Sequence, residues 1–345
     1  MPFPPTDASW SRSDKNPILV ATEPWEETCV CEPQVYWDPH QKEFRMYYRG
    51  GWGNQAVGVA TSKDGIIWAK YKHNPVYGHG GSNVPGLQEG GQPFVFRESV
   101  NNYWLYTTRQ QWNVSKWIAH LNIAISEDGY LWQPLASKVR LPTNCTLWGN
   151  RVVWTEQDNM NDEMHALTMK TNWYMLQEAA CGVWNIFLYT SSDGLTWHIG
   201  NNGNALSTLE MGVGGGMYGG PSLANVNGTI TPKNSSGVYN LWYHASPAGK
   251  GNLPTDIYHA SSRDLISWKI SLNETPVFEH SGTGPEYDQV ADPSPIIAPD
   301  GRALLYYDAD NNVNGTSSIG LAGESHRQPQ PEYFDEYFSV YIELL

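Results

Sequence analysis

Short runs of alternating apolar and polar residues recur along the chain, and the same polar phrase follows each. Val57-Gly58-Val59-Ala60-Thr61, Ile123-Ala124-Ile125, Ile186-Phe187-Leu188-Tyr189-Thr190 and Ile257-Tyr258-His259-Ala260 have the two-residue period of half-buried strands. Each leads into Ser-x-Asp-Gly-x-x-Trp at 62–68, 126–132 and 191–197, or into its degenerate form Ser-Arg-Asp-Leu-Ile-Ser-Trp at 262–268. Asp-Gly supplies a turn, because glycine tolerates positive φ and aspartate bonds its own backbone. The phrase therefore reads as a hairpin corner. Its tryptophans stand 64, 65 and 71 residues apart, at 68, 132, 197 and 268, the spacing of a repeat protein.

An aromatic run precedes each corner: Met46-Tyr-Tyr-Arg49, Leu105-Tyr-Thr-Thr108, Tyr174-Met-Leu-Gln177 and Leu241-Trp-Tyr-His244, with a fifth at Leu304-Leu-Tyr-Tyr-Asp308. Before each lies a further short strand, opening at Glu32-Pro33, Gln92-Pro93, Asp162-Glu163, Gly220-Pro221 and Asp292-Pro293. Trp10 is followed by Asn16-Pro17 as Trp68 is followed by Asn74-Pro75, but no hairpin precedes it. It reads as the outer strand of a unit whose other strands lie at the far end. Four strands per unit and five units predict an all-β, five-bladed β-propeller of four-stranded antiparallel blades, the N-terminal strand closing the last. The blades fall near 25–78, 88–140, 145–205, 215–280 and 285–330 plus 10–20, one domain over 1–345.

Composition narrows the setting. The net charge is −14 with 21 Lys and Arg and no basic run, which excludes a nucleic-acid surface. No apolar run reaches the length of a membrane span. The first 20 residues lack an apolar signal core, whereas six Asn-x-Ser/Thr sequons, at Asn113, Asn144, Asn227, Asn234, Asn273 and Asn314, favour secretion over a cytoplasmic setting. Four cysteines allow two disulfides; Cys29 and Cys31 stand too close to bridge one another comfortably, and no histidine beside them suggests zinc. The 16 Trp and 20 Tyr are an excess. Trp25, Trp52, Trp112, Trp117, Trp148 and Trp154 lie outside the repeat phrase, where aromatic rings serve either packing or the apolar faces of sugars.

In a propeller the innermost strands converge on one axis, so their openings are the place for chemistry. Glu32, Asp292 and Asp162 or Glu163 would aim carboxylates into one space, a costly arrangement through like-charge repulsion and desolvation. Paired carboxylates are what glycoside hydrolysis requires. Glu32 and Asp292 form the favoured pair, with Glu163 or Glu178 as the third acid. Arg49, Gln92, Arg109, His244, Asp308, Trp52 and Trp112 are candidate substrate-binding residues, and no side chain is assigned to a metal.

With these strands, the run Val57 to Trp68 and the Asn16-Pro17 ending, the chain resembles the five-bladed propeller glycoside hydrolases of families 43, 62, 32 and 68. The resemblance implies a funnel with three acids, one on the innermost strand of each of the first three blades, cleaving arabinose-, xylose-, galactose- or fructose-containing glycans without an organic cofactor. A structural cation on the axis is compatible with it. The chain departs from the pattern: Glu32-Pro33 replaces Asp-Pro in blade one, Gln92 replaces an acid in blade two, and the intact Asp-Pro is Asp292-Pro293 in blade five. The expectation is a secreted monomeric glycosidase with a carbohydrate substrate and neither nucleic-acid nor membrane partner. A lectin-like propeller that binds sugar without catalysis is the alternative, and a propeller lyase or transferase a further one.

Overall fold

The computed structural model describes residues 3–53, 55–78, 90–113, 116–142, 145–157, 171–180, 184–206, 217–246 and 253–324. They form five sheets in a ring, the five blades that the repeat predicts, with antiparallel pairing within each blade and Ala224–Val226 added in parallel to the innermost strand of blade five. Blade one runs outward through Val30–Asp38, Glu43–Gly50, Ala56–Ser62 and Ala69–Lys70, blade two through Gly91–Ser99, Asn102–Asn113, Lys116–Ser126 and Gln133–Val139. Blade four runs through Met217–Ser222, Tyr239–Ser246, Asp256–Ser262 and Trp268–Ile270. Blade five comprises Gln289–Ile297, Ala303–Asn311 and Thr316–Glu324, and Trp10–Arg12 adds its outer strand in register Trp10 to Glu324. The chain is thus closed by its own N-terminal strand, which removes an open edge.

Blade three departs from the expected alignment. Its innermost strand is Thr146–Gln157, followed outward by Thr171–Ala180, Trp184–Ser191 and His198–Ile199. Asp162-Glu163 therefore does not open that strand: the apolar stretch Val152-Val153-Trp154 does the burying, and Trp154 stacks on Tyr174 at 5.3 Å inside the core. Both acids lie outside the described residues.

The repeat phrase is a side-chain-capped turn. In the first copy Ser62 Oγ accepts the Gly65 N–H at 2.9 Å, and Asp64 Oδ1 accepts the N–H groups of Ile66 and Ile67 at 2.8 and 2.9 Å. The other three copies repeat these bonds. Accepting two backbone N–H groups stabilises the ionised form, and Asp193 is accordingly held down at about 2. The third position of the turn has φ of 71–77° in the three glycine copies, and Leu265 takes φ 65° in the degenerate one.

These turns also join the blades. Tyr47 donates to Gly129 O, Tyr106 to Gly194 O and Tyr306 to Gly65 O, each reaching from a second strand to the corner of the next blade. The repeat tryptophan of that next blade packs edge-on to the same ring: Tyr47 with Trp132, Tyr106 with Trp197 and Tyr306 with Trp68. One aromatic pair thus supplies apolar burial and a fixed polar anchor at the interface.

The Asn-Pro endings share a role as well. Asn74 bonds both backbone groups of Val59, and Asn16 both of Leu321, so each side chain substitutes for a strand partner. Cys29 and Cys31 are joined to each other, contrary to the expectation from their spacing. The chain there is not regularly extended, since Cys29 makes only an isolated bridge and Glu32 turns to φ 55°; the two Cα atoms stand 5.9 Å apart, within disulfide reach.

Candidate active site

Every innermost strand breaks its ladder in the same place. The registers shift between Cys31 and Gln34, Gly91 and Phe94, Leu147 and Arg151, Gly219 and Ser222, and Ala291 and Ser294. Within each break one residue takes a left-handed conformation: Glu32 at φ 55°, Gln92 at 55°, Gly149 at 65°, Gly220 at 59° and Asp292 at 47°. Such bulges re-aim a side chain. A residue with a Cβ there costs about 1 kcal/mol or more, a strain that concentrates at functional positions. Gly149, not Glu163, is the blade-three member of the ring.

A second ring comes from the second strands, opposite the residue that precedes each bulge. Arg49 faces Cys31, Thr108 faces Gly91, His244 faces Gly219 and Asp308 faces Ala291. Glu178 holds the same place in blade three, between Gln177, which pairs with Arg151, and Ala179, which pairs with Leu147. Glycine at one axial position and at the residue before another makes room for it. A Cβ on Gly149 or Gly219 would overlap the Glu178 carboxylate, and one on Gly220 would overlap His244 and Asp292. Glu178 accepts the Gly220 N–H at 2.7 Å.

The two rings enclose a cavity of about 490 Å³ lined by Glu32, Arg49, Gln92, Glu178, His244, Asp292, Asp308 and Asp310, with Trp52, Trp184 and Tyr218 on its walls. Glu32 and Asp292 thus meet Glu178 in one space. Trp52 is 42 % exposed and lies 5.0 Å over the Arg49 guanidinium, an aromatic face at the rim. The side chains of Arg109 and Trp112 fall outside the described residues, as does Glu163.

Burial and crowding divide the acids. Arg49 Nε meets Glu32 Oε1 at 3.1 Å, yet burial, helped by the charge of Asp292, lifts Glu32 to about 7. Burial, reinforced by Asp292, lifts Glu178 to about 8. Asp308 is raised well above the ordinary range by burial and by Asp292, Asp310 and Glu32; its Oδ1 accepts the Glu32 N–H at 2.5 Å. Asp292 moves the other way: burial pushes it up, but His244, Asp308 and Arg49 together hold it below its ordinary value. His244 is raised, because Asp292 and Glu178 outweigh its burial.

His244 Nδ1 lies 3.2 Å from the Asp292 amide nitrogen and 3.3 Å from its Oδ1. A lone pair would take the amide and a ring N–H the carboxylate. The surrounding negative charge favours the imidazolium, and with it the carboxylate contact. One ligand atom each of Glu178, His244 and Asp292 lies within 4.8 Å of the others, so this trio could hold a metal ion. Sequence spacing gave no sign of it, because the three residues come from three blades.

Arg151 is a further member that sequence reasoning passed over. It is buried and donates to Gln92 O at 2.7 Å, Tyr106 O at 3.1 Å, Gln177 Oε1 at 2.7 Å and Thr108 Oγ1, tying the second blade to the third beneath the axis. A lone cation ahead of Val152-Val153-Trp154 was the available signal. Asp310 could have been found as the second residue after Asp308, hence on the same face.

No protein-family model matches the chain, and no curated protein sequence does. Solved structures do. A glycosyl hydrolase from Bacteroides ovatus superposes with a TM-score of 0.63 at 17 % identity, over 93 % of this chain and 94 % of that one. A member of the GH130 family of mannoside phosphorylases, which contains glycoside hydrolases targeting β-1,2 mannosidic linkages in Candida mannan, gives 0.62 at 18 %, over 93 % and 95 %. An N-acetylgalactosamine deacetylase from F. plautii, in complex with blood group B trisaccharide, gives 0.60 at 13 %, over 91 % and 95 %. Over nearly its whole length the chain has the fold of the glycoside hydrolase propellers, a ring of five blades about one axial funnel.

Proposed function

We propose that the protein is a glycoside hydrolase that works in the axial funnel, with Glu178 as general acid and Asp292 as its ionised partner. The observation that carries this reading is the divergence of two neighbouring carboxyls. Glu178, at about 8, keeps its proton at neutral pH, while Asp292 is held below its ordinary value. Paired acids with environments pushed apart are the arrangement in which one donates a proton and the other attacks or activates water. An oxygen of each lies within 4.8 Å of the other.

The remaining residues tune and position. The His244 imidazolium keeps Asp292 ionised, and Arg49 orients Glu32 at 3.1 Å. Trp52, Trp184 and Tyr218 offer apolar faces to sugar rings. The structural relatives named as glycoside hydrolases support the class of reaction. A release assay over a glycan panel, repeated with Asp292→Asn and Glu178→Gln, tests it. Losses of about a hundredfold or more are expected in both variants; undiminished turnover in both would sink the assignment.

One observation favours a second reading. Two carboxylates and an imidazole from Glu178, His244 and Asp292 are a donor set suited to a divalent cation, which would act as a Lewis acid on a substrate oxygen. Activity that survives exhaustive chelation supports the first reading, and activity restored only by added metal supports the second.

A further inference from the structure

The funnel has buried polar atoms without partners, and all of them are acceptors. Among the described residues they are Glu32 Oε2, Gln92 Oε1 and Asp310 Oδ1. Glu32, Gln92 and Asp310 are only 6, 3 and 6 % exposed. Buried polar groups are nearly always satisfied, so such atoms facing a cavity call for a ligand that brings donors.

Charge narrows the donor. Of the carboxyls that line the cavity, those of Glu32 and Asp292 face its two cationic side chains, Arg49 and His244, while Asp310 has no ion-pair partner among the described residues. Both cations are committed, Arg49 to Glu32 at 3.1 Å and His244 to Asp292 at 3.3 Å. A hydroxyl would satisfy an acceptor and leave the charge. A carboxylate, sulfate or phosphate would add lone pairs where there are already too many. A protonated amine offers three donors and a positive charge in one group.

Asp310 is the seat best placed for it. It stands on the wall of blade five, across the ladder from Gln289 and near Asn312, and it is outside the pair assigned to bond cleavage. Burial pushes this carboxyl up to about 6, opposed in part by the nearby Ser317 hydroxyl, and its Oδ1 has no hydrogen-bond partner. The net charge of −14 would in addition draw a cationic substrate toward the molecule.

We infer that the funnel recognises a sugar bearing a protonated amine, an amino sugar or its oligomer, with the ammonium group seated on Asp310. The inference rests on the carbohydrate reading of the site and names the substrate class.

Calorimetric titration of the full chain at neutral pH and low salt tests it, with the glucosamine dimer, the N-acetylglucosamine dimer and cellobiose as probes that differ only at the amine. The free amine is expected to bind at least about tenfold tighter than either neutral dimer, as a charge-assisted bond replaces a neutral one. Asp310→Asn should abolish that preference. Equal or tighter binding of the neutral dimers overturns the inference, and this comparison needs no variant to fold. It is likewise overturned if the preference persists in Asp310→Asn, or if a titrated divalent cation saturates the funnel and displaces the amine. Binding is read without turnover, so the two proposals can fail separately. An amine preference without hydrolysis of any glycan leaves the subsite and removes the hydrolase; hydrolysis of neutral glycans with no amine preference does the reverse.

Discussion

Replacing Glu178 by glutamine should cut activity about a hundredfold or more and yet stabilise the protein at alkaline pH. The Glu178 carboxyl is 2 % exposed and is lifted from 4.5 to about 8, chiefly by burial. Below about pH 4.5 it is protonated in folded and unfolded chains alike and contributes nothing to pH dependence. As the pH rises past that point the unfolded chain loses the proton while the folded one keeps it, so stability falls until about pH 8, where the folded form ionises too. At about 1.4 kcal/mol per unit, ionising the group costs the folded state up to about 5 kcal/mol, water in the funnel reducing the figure. For a chain of 345 residues this is up to about 7 °C in Tm. Glutamine is neutral throughout, and its amide oxygen can still accept the Gly220 N–H. Thermal melts at pH 5 and pH 9 should show near-equal Tm values at pH 5 and a higher one for the variant at pH 9. A variant less stable than the parent at pH 9 would refute the reasoning, because the carboxylate would then have a cationic partner that welcomes its charge.

Three further outcomes follow from the same geometry. The pH profile of kcat/KM should fall above about 8 as Glu178 loses its proton, and Glu178→Gln should leave no such limb in its residual rate. Gly220→Ala places a Cβ against His244 and Asp292 at φ 59°, so turnover should collapse at a stability cost of about 1–2 kcal/mol, read by activity and melting together. Tyr106→Phe removes the 3.2 Å bond to Gly194 O at a blade interface, and neither residue lines the funnel; it should cost about 1 kcal/mol and leave kcat/KM unchanged.

Much of the architecture was legible because a repeat reports itself. The Asp64, Asp128, Asp193 and Asp264 turns are local, made by side chains bonding backbone two and three residues on, so their residues reveal them without knowledge of the fold. The aromatic second strands announced blade number for a related reason, since Tyr47, Tyr106 and Tyr306 each anchor one blade to the corner of the next. Blade three escaped the alignment because Gly149 replaces the X-Pro opening seen at Glu32-Pro33, Gln92-Pro93, Gly220-Pro221 and Asp292-Pro293. Without that cue, Asp162-Glu163 offered a better-looking match in the wrong place.

The sequence by itself determined the all-β repeat, the five units, closure by the segment around Trp10 and an acidic axis, since each depends on period and local turn chemistry. Tertiary structure alone decided which acids meet. Glu178 reaches the axis because Gly149 and Gly219, from two other strands, leave it room, and Asp292 stays ionised because His244 arrives from the neighbouring blade. Those outcomes depend on distances between residues up to some 260 positions apart, as from Glu32 to Asp292. Proton affinity follows burial and neighbouring charge, and neither is written in the order of residues.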